Sequence, residues 1–144
     1  MTEISIERVT NAAFFAGELF RLVFGHPVPA EPVHYVAFAR LADGTLRTVG
    51  YYHVAYRGAY ALVGGLCVDP GFRRLAIGER LERAAFENVG DASAFFAHVG
   101  DPTRAKRVGF RETEHPHLVV RWMKEADDAE RRRIIDEVAA LGPF

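Results

Sequence analysis

The apolar positions change period several times along the chain. From Ile4 to Val9 apolar and polar residues alternate, which predicts a strand with Ile4, Ile6 and Val9 inward. Thr10 or Asn11 can cap a helix from Ala12 to about Phe24 that Gly25 ends, with Phe15, Leu19, Leu22 and Val23 on its apolar face. His26 to Pro32 carries three prolines and reads as a loop. Val33–Leu41 and Leu46–Tyr56 are expected strands joined through Asp43-Gly44, and Arg57-Gly58 returns the chain into a strand from Ala59 to Val68. Two-residue turns at both places set Leu41 opposite Leu46 and Tyr56 opposite Ala59. His34 then faces His53, His53 faces Leu62, and Gly50 faces Gly65.

Helical spacing resumes at Ile77, Leu81, Ala84 and Ala85, in a helix running to about Asn88. Ala92–Val99 reads as a strand. Asp101 then caps a short helix with Pro102 at its first position and Gly109 at its end, and His117–Met123 is a further strand. Acids open a last helix, Asp127–Leu141, with Ile134, Ile135, Val138 and Leu141 on one face. The order predicts an α/β fold: a mixed, mostly antiparallel central sheet with helices on both faces and an extra C-terminal helix. Residues 1–124 would form the main domain. Residues 125–144 would add an amphipathic helix packed on that domain or at a homodimer interface.

Composition narrows the function. Eighteen Lys and Arg against nineteen Asp and Glu give a net charge of −1, so no global field points to nucleic acid or to an anionic membrane. No apolar run approaches a membrane span, and the acidic N-terminus lacks the pattern of a signal peptide. A single cysteine, Cys67, rules out an internal disulfide and fits a reducing, cytoplasmic setting.

Local chemistry concentrates between Ala61 and Leu81. A buried strand ends at Asp69-Pro70-Gly71, and the basic stretch Arg73–Gly78 leads into a helix start, where backbone N–H groups and the helix dipole favour an anion. Gly64-Gly65 inside that strand calls for a bulge, for the close approach of a ligand, or for room beside large neighbours such as Tyr51 and Tyr52.

The element order and the segment Val68-Asp69-Pro70-Gly71-Phe72-Arg73-Arg74-Leu75-Ala76-Ile77-Gly78 resemble the GNAT superfamily of acyl-CoA-dependent N-acyltransferases. Its pattern after this strand is Gln or Arg, two residues, Gly, one residue, then Gly or Ala. Arg73, Ala76 and Gly78 take those positions, with one glycine replaced by alanine, and Val108-Gly109-Phe110 resembles the end of the family's next helix. The resemblance implies an acetyl-CoA-dependent N-acetyltransferase using direct attack by a primary amine, of a small molecule or an exposed amino group. Arg73, Arg74, Leu75, Ala76, Ile77 and Gly78 would hold the coenzyme A pyrophosphate, and the strand edge at Leu66, Cys67 and Val68 would hold the pantetheine arm. Ala76 is expected to keep a negative φ, since its methyl group penalises a positive one.

Where family members often carry an acidic Tyr, this chain has Ala105, and no tyrosine follows Tyr60. No acidic side chain occurs between Gly44 and Asp69. The remaining catalytic candidates are His98, at a position where relatives commonly have Asn facing the cofactor, and Tyr51, Tyr52 or His53 on the third strand. Two histidines without a nearby carboxylate or thiolate are too few for a metal, so none is expected at His34 and His53. Cys67 lacks an evident base beside it and reads as a small core residue rather than a nucleophile. The competing function is a GNAT-like domain that binds coenzyme A or acyl-CoA as a sensor or assembly module.

Overall fold

A computed structural model describes residues 2–30 and 32–144. Strands β1 (Glu3–Val9), β2 (Val33–Arg40), β3 (Leu46–Arg57), β4 (Tyr60–Val68), β5 (Ala94–His98), β6 (Arg111–Glu112) and β7 (Leu118–Trp122) are hydrogen-bonded in the order β1-β2-β3-β4-β5-β7-β6. The β4–β5 ladder is parallel and those of β1–β2, β2–β3, β5–β7 and β6–β7 are antiparallel. Helices α1 (Ala12–Phe24), α2 (Ile77–Phe86), α3 (Thr103–Arg107) and α4 (Asp128–Ala139) complete the fold, with a 3-10 helix at Pro70–Leu75. The chain groups into two compact units, residues 1–54 with 65–88, and 55–64 with 89–144.

In the first unit the alternation of β2 separates two helices. Val36 and Phe38 share a core with Ala12, Ala16 and Phe20 of α1. Ala37, pointing the other way, stands beside Ile77 and Leu81 of α2 at the space above Gly50. Alpha helices therefore cover both faces of the sheet. The buried stripe of α1 is Ala12, Ala16 and Phe20 rather than the bulkier residues favoured by periodicity, and Leu22 is 77% exposed. Small side chains let the helix lie close to the sheet, and one ring fills the remaining gap. No side chain caps α1, but Gly25 ends it as expected, in a left-handed conformation.

The first hairpin corrects the two-residue turn. Its connection, Leu41–Thr45, is closed by Leu41 N–H donating to the Thr45 carbonyl, and Asp43 accepts from the Thr45 amide and hydroxyl. Arg40 consequently pairs with Leu46, one position from the expected register. A bulge then leaves Val49 as an extra residue on β3, between the pairs Phe38↔Thr48 and Ala37↔Gly50. Beyond it the register returns to the expected one, and His34 faces His53.

In the second unit, Tyr60 and Leu62 of β4, Ala94 and Phe96 of β5, and Leu118 and Val120 of β7 form one core with Ile134 and Val138 of α4. Asp127 caps α4 by accepting from the Glu130 amide. Leu141 lies past the helix end and is exposed.

Candidate functional site

The loop after β4 is braced from both sides. Asp69 accepts from the Gly71 amide at 2.9 Å through one carboxylate oxygen and from Arg47 at 2.7 Å through the other. Its own amide donates to the Val49 carbonyl at 2.8 Å, which ties the loop to the bulge. The Arg47 guanidinium also lies 5.7 Å from the Phe72 ring centroid. The sequence pattern did not reveal this clamp, because Arg47 and Asp69 are 22 positions apart.

After the 3-10 helix, Ala76 adopts φ 55° and ψ 32°, the left-handed region, contrary to the expected negative φ. One residue there turns the chain from the 3-10 helix into α2, whose first helical bond runs from Arg80 N–H to the Ala76 carbonyl. No side chain caps α2, so the amides of Ile77, Gly78 and Glu79 open its first turn without an internal partner. Arg73, Arg74, Leu75 and Ala76 are exposed beside them, and Ile77 is buried as the anchor. Glu79 places one carboxylate in the same turn, opposing part of the cationic field.

The same unit holds a second cluster, on the α1 face. The Tyr51 hydroxyl lies 2.6 Å from His34 Nδ1 and 3.3 Å from His53 Nδ1. The Phe20 ring packs edge-on against Tyr51, with centroids 5.3 Å apart, and Cys67 belongs to the same core. Gly65 has φ 68°, and a Cβ there would meet His53 Nδ1 at 2.6 Å and Phe20 at 2.9 Å. The glycine therefore makes room for the His53 imidazole and the Phe20 ring, not for the tyrosines. Burial holds His34 below the usual histidine range, against the pull of the Ala30 backbone. Burial, then the neighbouring His34, lowers His53 to about 4. Burial and Cys67 push the Tyr51 phenol upward, and burial raises the Cys67 thiol to about 11. At neutral pH all four groups are uncharged. The register pair His34–His53 was legible in the sequence; the hydroxyl between the two rings was not.

Tyr52, paired with Tyr35, is buried on the opposite side of β3 from Tyr51. His98 belongs to the second unit, at the end of β5 opposite Leu118. Its Nε2 is buried without a hydrogen-bond partner, and the Phe144 ring stands edge-on to it at 4.5 Å. With Val99, His117, Ala139 and Pro143 it lines a cavity of about 550 Å³. Ala105 is buried in that unit too. Glu114, His115 and Asp136 gather potential ligand atoms within 4.8 Å on an exposed surface, where Arg132 already pairs with Glu114.

No protein-family model matches the sequence, and no curated protein matches it either. Solved structures do match in fold. One is an Escherichia coli GNAT family N-acetyltransferase, YhbS, in complex with CoA, with a TM-score of 0.63 and 18% identity over 89% of this chain and 83% of the other. A second is Arabidopsis thaliana NAA60 in complex with acetyl-CoA, with a TM-score of 0.68 and 15% identity over 84% and 99%. A third is the Escherichia coli ribosomal-protein-S18-alanine N-acetyltransferase, with a TM-score of 0.61 and 14% identity over 89% and 97%. The chain thus has the fold of the GNAT acetyltransferases.

Proposed function

We propose that this protein is an acetyl-CoA-dependent N-acetyltransferase acting by direct attack of a primary amine, of a small molecule or an exposed amino group. The observation that carries the reading is the uncapped start of α2 after the exposed pair Arg73–Arg74, at the end of β4 in a GNAT fold. In this reading the amides of Ile77 and Gly78 and the dipole of α2 bind the pyrophosphate, while Arg73 and Arg74 supply mobile positive charge. The backbone at Leu66, Cys67 and Val68 pairs with the pantetheine arm as an added strand would.

The acetyl group then passes to the amine without a covalent enzyme intermediate. A thiol raised to about 11 gives Cys67 little thiolate at neutral pH, which supports direct attack. His98, with its unpartnered Nε2, is the candidate for contact with the cosubstrate in the second unit. In the same reading the protein works in the cytoplasm, with no metal, nucleic acid or membrane among its partners. Among the described residues, no helix is long and apolar enough to cross a membrane.

Incubation with acetyl-CoA and a panel of primary amines is expected to release free thiol in step with acetylated amine. Calorimetry should show coenzyme A binding that weakens about tenfold in an Arg73→Ala, Arg74→Ala double variant, because two charge-assisted hydrogen bonds disappear from an exposed site. Absence of coenzyme A binding by the wild type overturns the reading. A second reading rests on Ala105, which puts a buried methyl group where the resemblance expects an acidic phenol. Under it the chain binds acyl-CoA as a sensor or assembly module, and tight binding without thiol release would establish it.

A further inference from the structure

Resting on the transferase reading, we infer that His34, Tyr51 and His53 form a proton relay: His53 is the catalytic base for the acceptor amine, and Tyr51 and His34 position it and carry the proton onward. The Tyr51 hydroxyl stands between His34 Nδ1 at 2.6 Å and His53 Nδ1 at 3.3 Å. A hydroxyl has one hydrogen to donate, and in the relay it goes to the nearer nitrogen, so neutral His34 carries its own hydrogen at Nε2. The Tyr51 oxygen then accepts from His53 Nδ1–H, which leaves His53 a lone pair at Nε2. Of the three side chains only His53 reaches the surface: Tyr51 is fully buried and His34 is 3% exposed.

Gly65 reinforces the assignment. It accepts a left-handed φ in the middle of a strand, and the space its missing side chain leaves is filled by the His53 ring. The other titratable groups near the relay are Cys67 on β4 and His26, whose ring packs against Phe20.

The reaction balances without a further reactant. The amine lone pair forms a C–N bond to the thioester carbonyl carbon as the carbonyl π pair moves to oxygen. The amine proton passes to His53 Nε2, the Nδ1 proton to the Tyr51 oxygen, and the phenol proton to His34 Nδ1. His34 then holds the positive charge, which the Ala30 backbone beside it favours. Collapse of the oxyanion breaks the C–S bond, with the pair leaving on sulfur. The proton retraces the chain to His53 Nε2 and leaves to the thiolate or to water, and every group recovers its starting hydrogen.

Two measurements on the full chain test this. Imidazole ¹⁵N NMR at neutral pH should show pyrrole-type nitrogen at His34 Nε2 and His53 Nδ1, with the His34 Nδ1 signal displaced in Tyr51→Phe. The opposite tautomers, or signals indifferent to Tyr51, overturn the relay. In steady-state assays with acetyl-CoA and the best amine of the panel, His53→Gln should lower kcat about 10²-fold or more. Tyr51→Phe should lower it about tenfold and shift the acid limb of its pH profile, with coenzyme A affinity unchanged by calorimetry. Added imidazole should restore part of the rate of His53→Ala. Undiminished kcat in His53→Gln and Tyr51→Phe overturns the relay alone. Absence of thiol release from the wild type overturns the transferase reading and the relay with it.

Discussion

Two residues with left-handed backbone decide how the β4–α2 segment is built, and they are not equivalent. At Ala76 the methyl group is exposed and meets the cost of a positive φ without steric help, so Ala76→Gly should raise stability by about 0.5–1 kcal/mol. At Gly65 the same conformation is combined with an imidazole in the space of the missing Cβ. Gly65→Ala should therefore cost about 2–3 kcal/mol and displace His53. Chemical denaturation of both variants checks the pair: opposite signs are expected, and equal signs would show that backbone conformation alone governs both sites. Alanine at position 76 is visible in the sequence. Its conformation follows from the 3-10 helix that precedes it, which no residue pattern announced.

Among the elements, the loop from Asp69 to Leu75 depends on partners far away in sequence. Asp69 joins the Gly71 amide to Arg47 on β3, and the Val49 bulge supplies the carbonyl that holds the Asp69 amide. Asp69→Ala removes both carboxylate bonds at once. Coenzyme A affinity measured by calorimetry is expected to fall about five- to tenfold, roughly 1–1.4 kcal/mol, with little change in melting temperature. An unchanged affinity would mean that the α2 start is held by its own helix and by Ile77. The bulge also explains why the register at His34–His53 came out as expected although the hairpin did not. The longer connection moves the ladder by one position, and the extra residue Val49 moves it back.

For the molecule as a whole, the buried histidines tie stability to pH. His34 and His53 are held neutral in the folded state, whereas in the unfolded chain both take a proton near the ordinary histidine value. Between that value and about 4 the unfolded state binds more protons, so stability is full above about pH 6.5 and falls as the solution is acidified. At pH 5 the His53 contribution alone is a loss of about 2 kcal/mol, and His34 adds to it in the same direction. Urea titrations at pH 7.5 and pH 5 measure this difference, which His53→Gln should reduce. A wild-type stability independent of pH over that range would show that the two rings are not held neutral.

The strands and helices that carry the two cores, and the place of the basic loop before α2, were legible in the sequence alone, whereas the 3-10 helix and the two-residue strand β6 were not. The legible features follow from local periodicity, turn chemistry and the motif Arg73–Gly78, all properties of near neighbours in the chain. The pairing of His34 with His53 agrees with the sequence reading only because the Val49 bulge offsets the longer connection. The tertiary structure decided which stripe of α1 is buried, since the available depth over the sheet favours Ala12, Ala16 and Phe20 over larger side chains. It placed the Tyr51 hydroxyl between two imidazoles and put the His53 ring over Gly65, because hydrogen-bond partners and free volume are set by strands that meet only after folding.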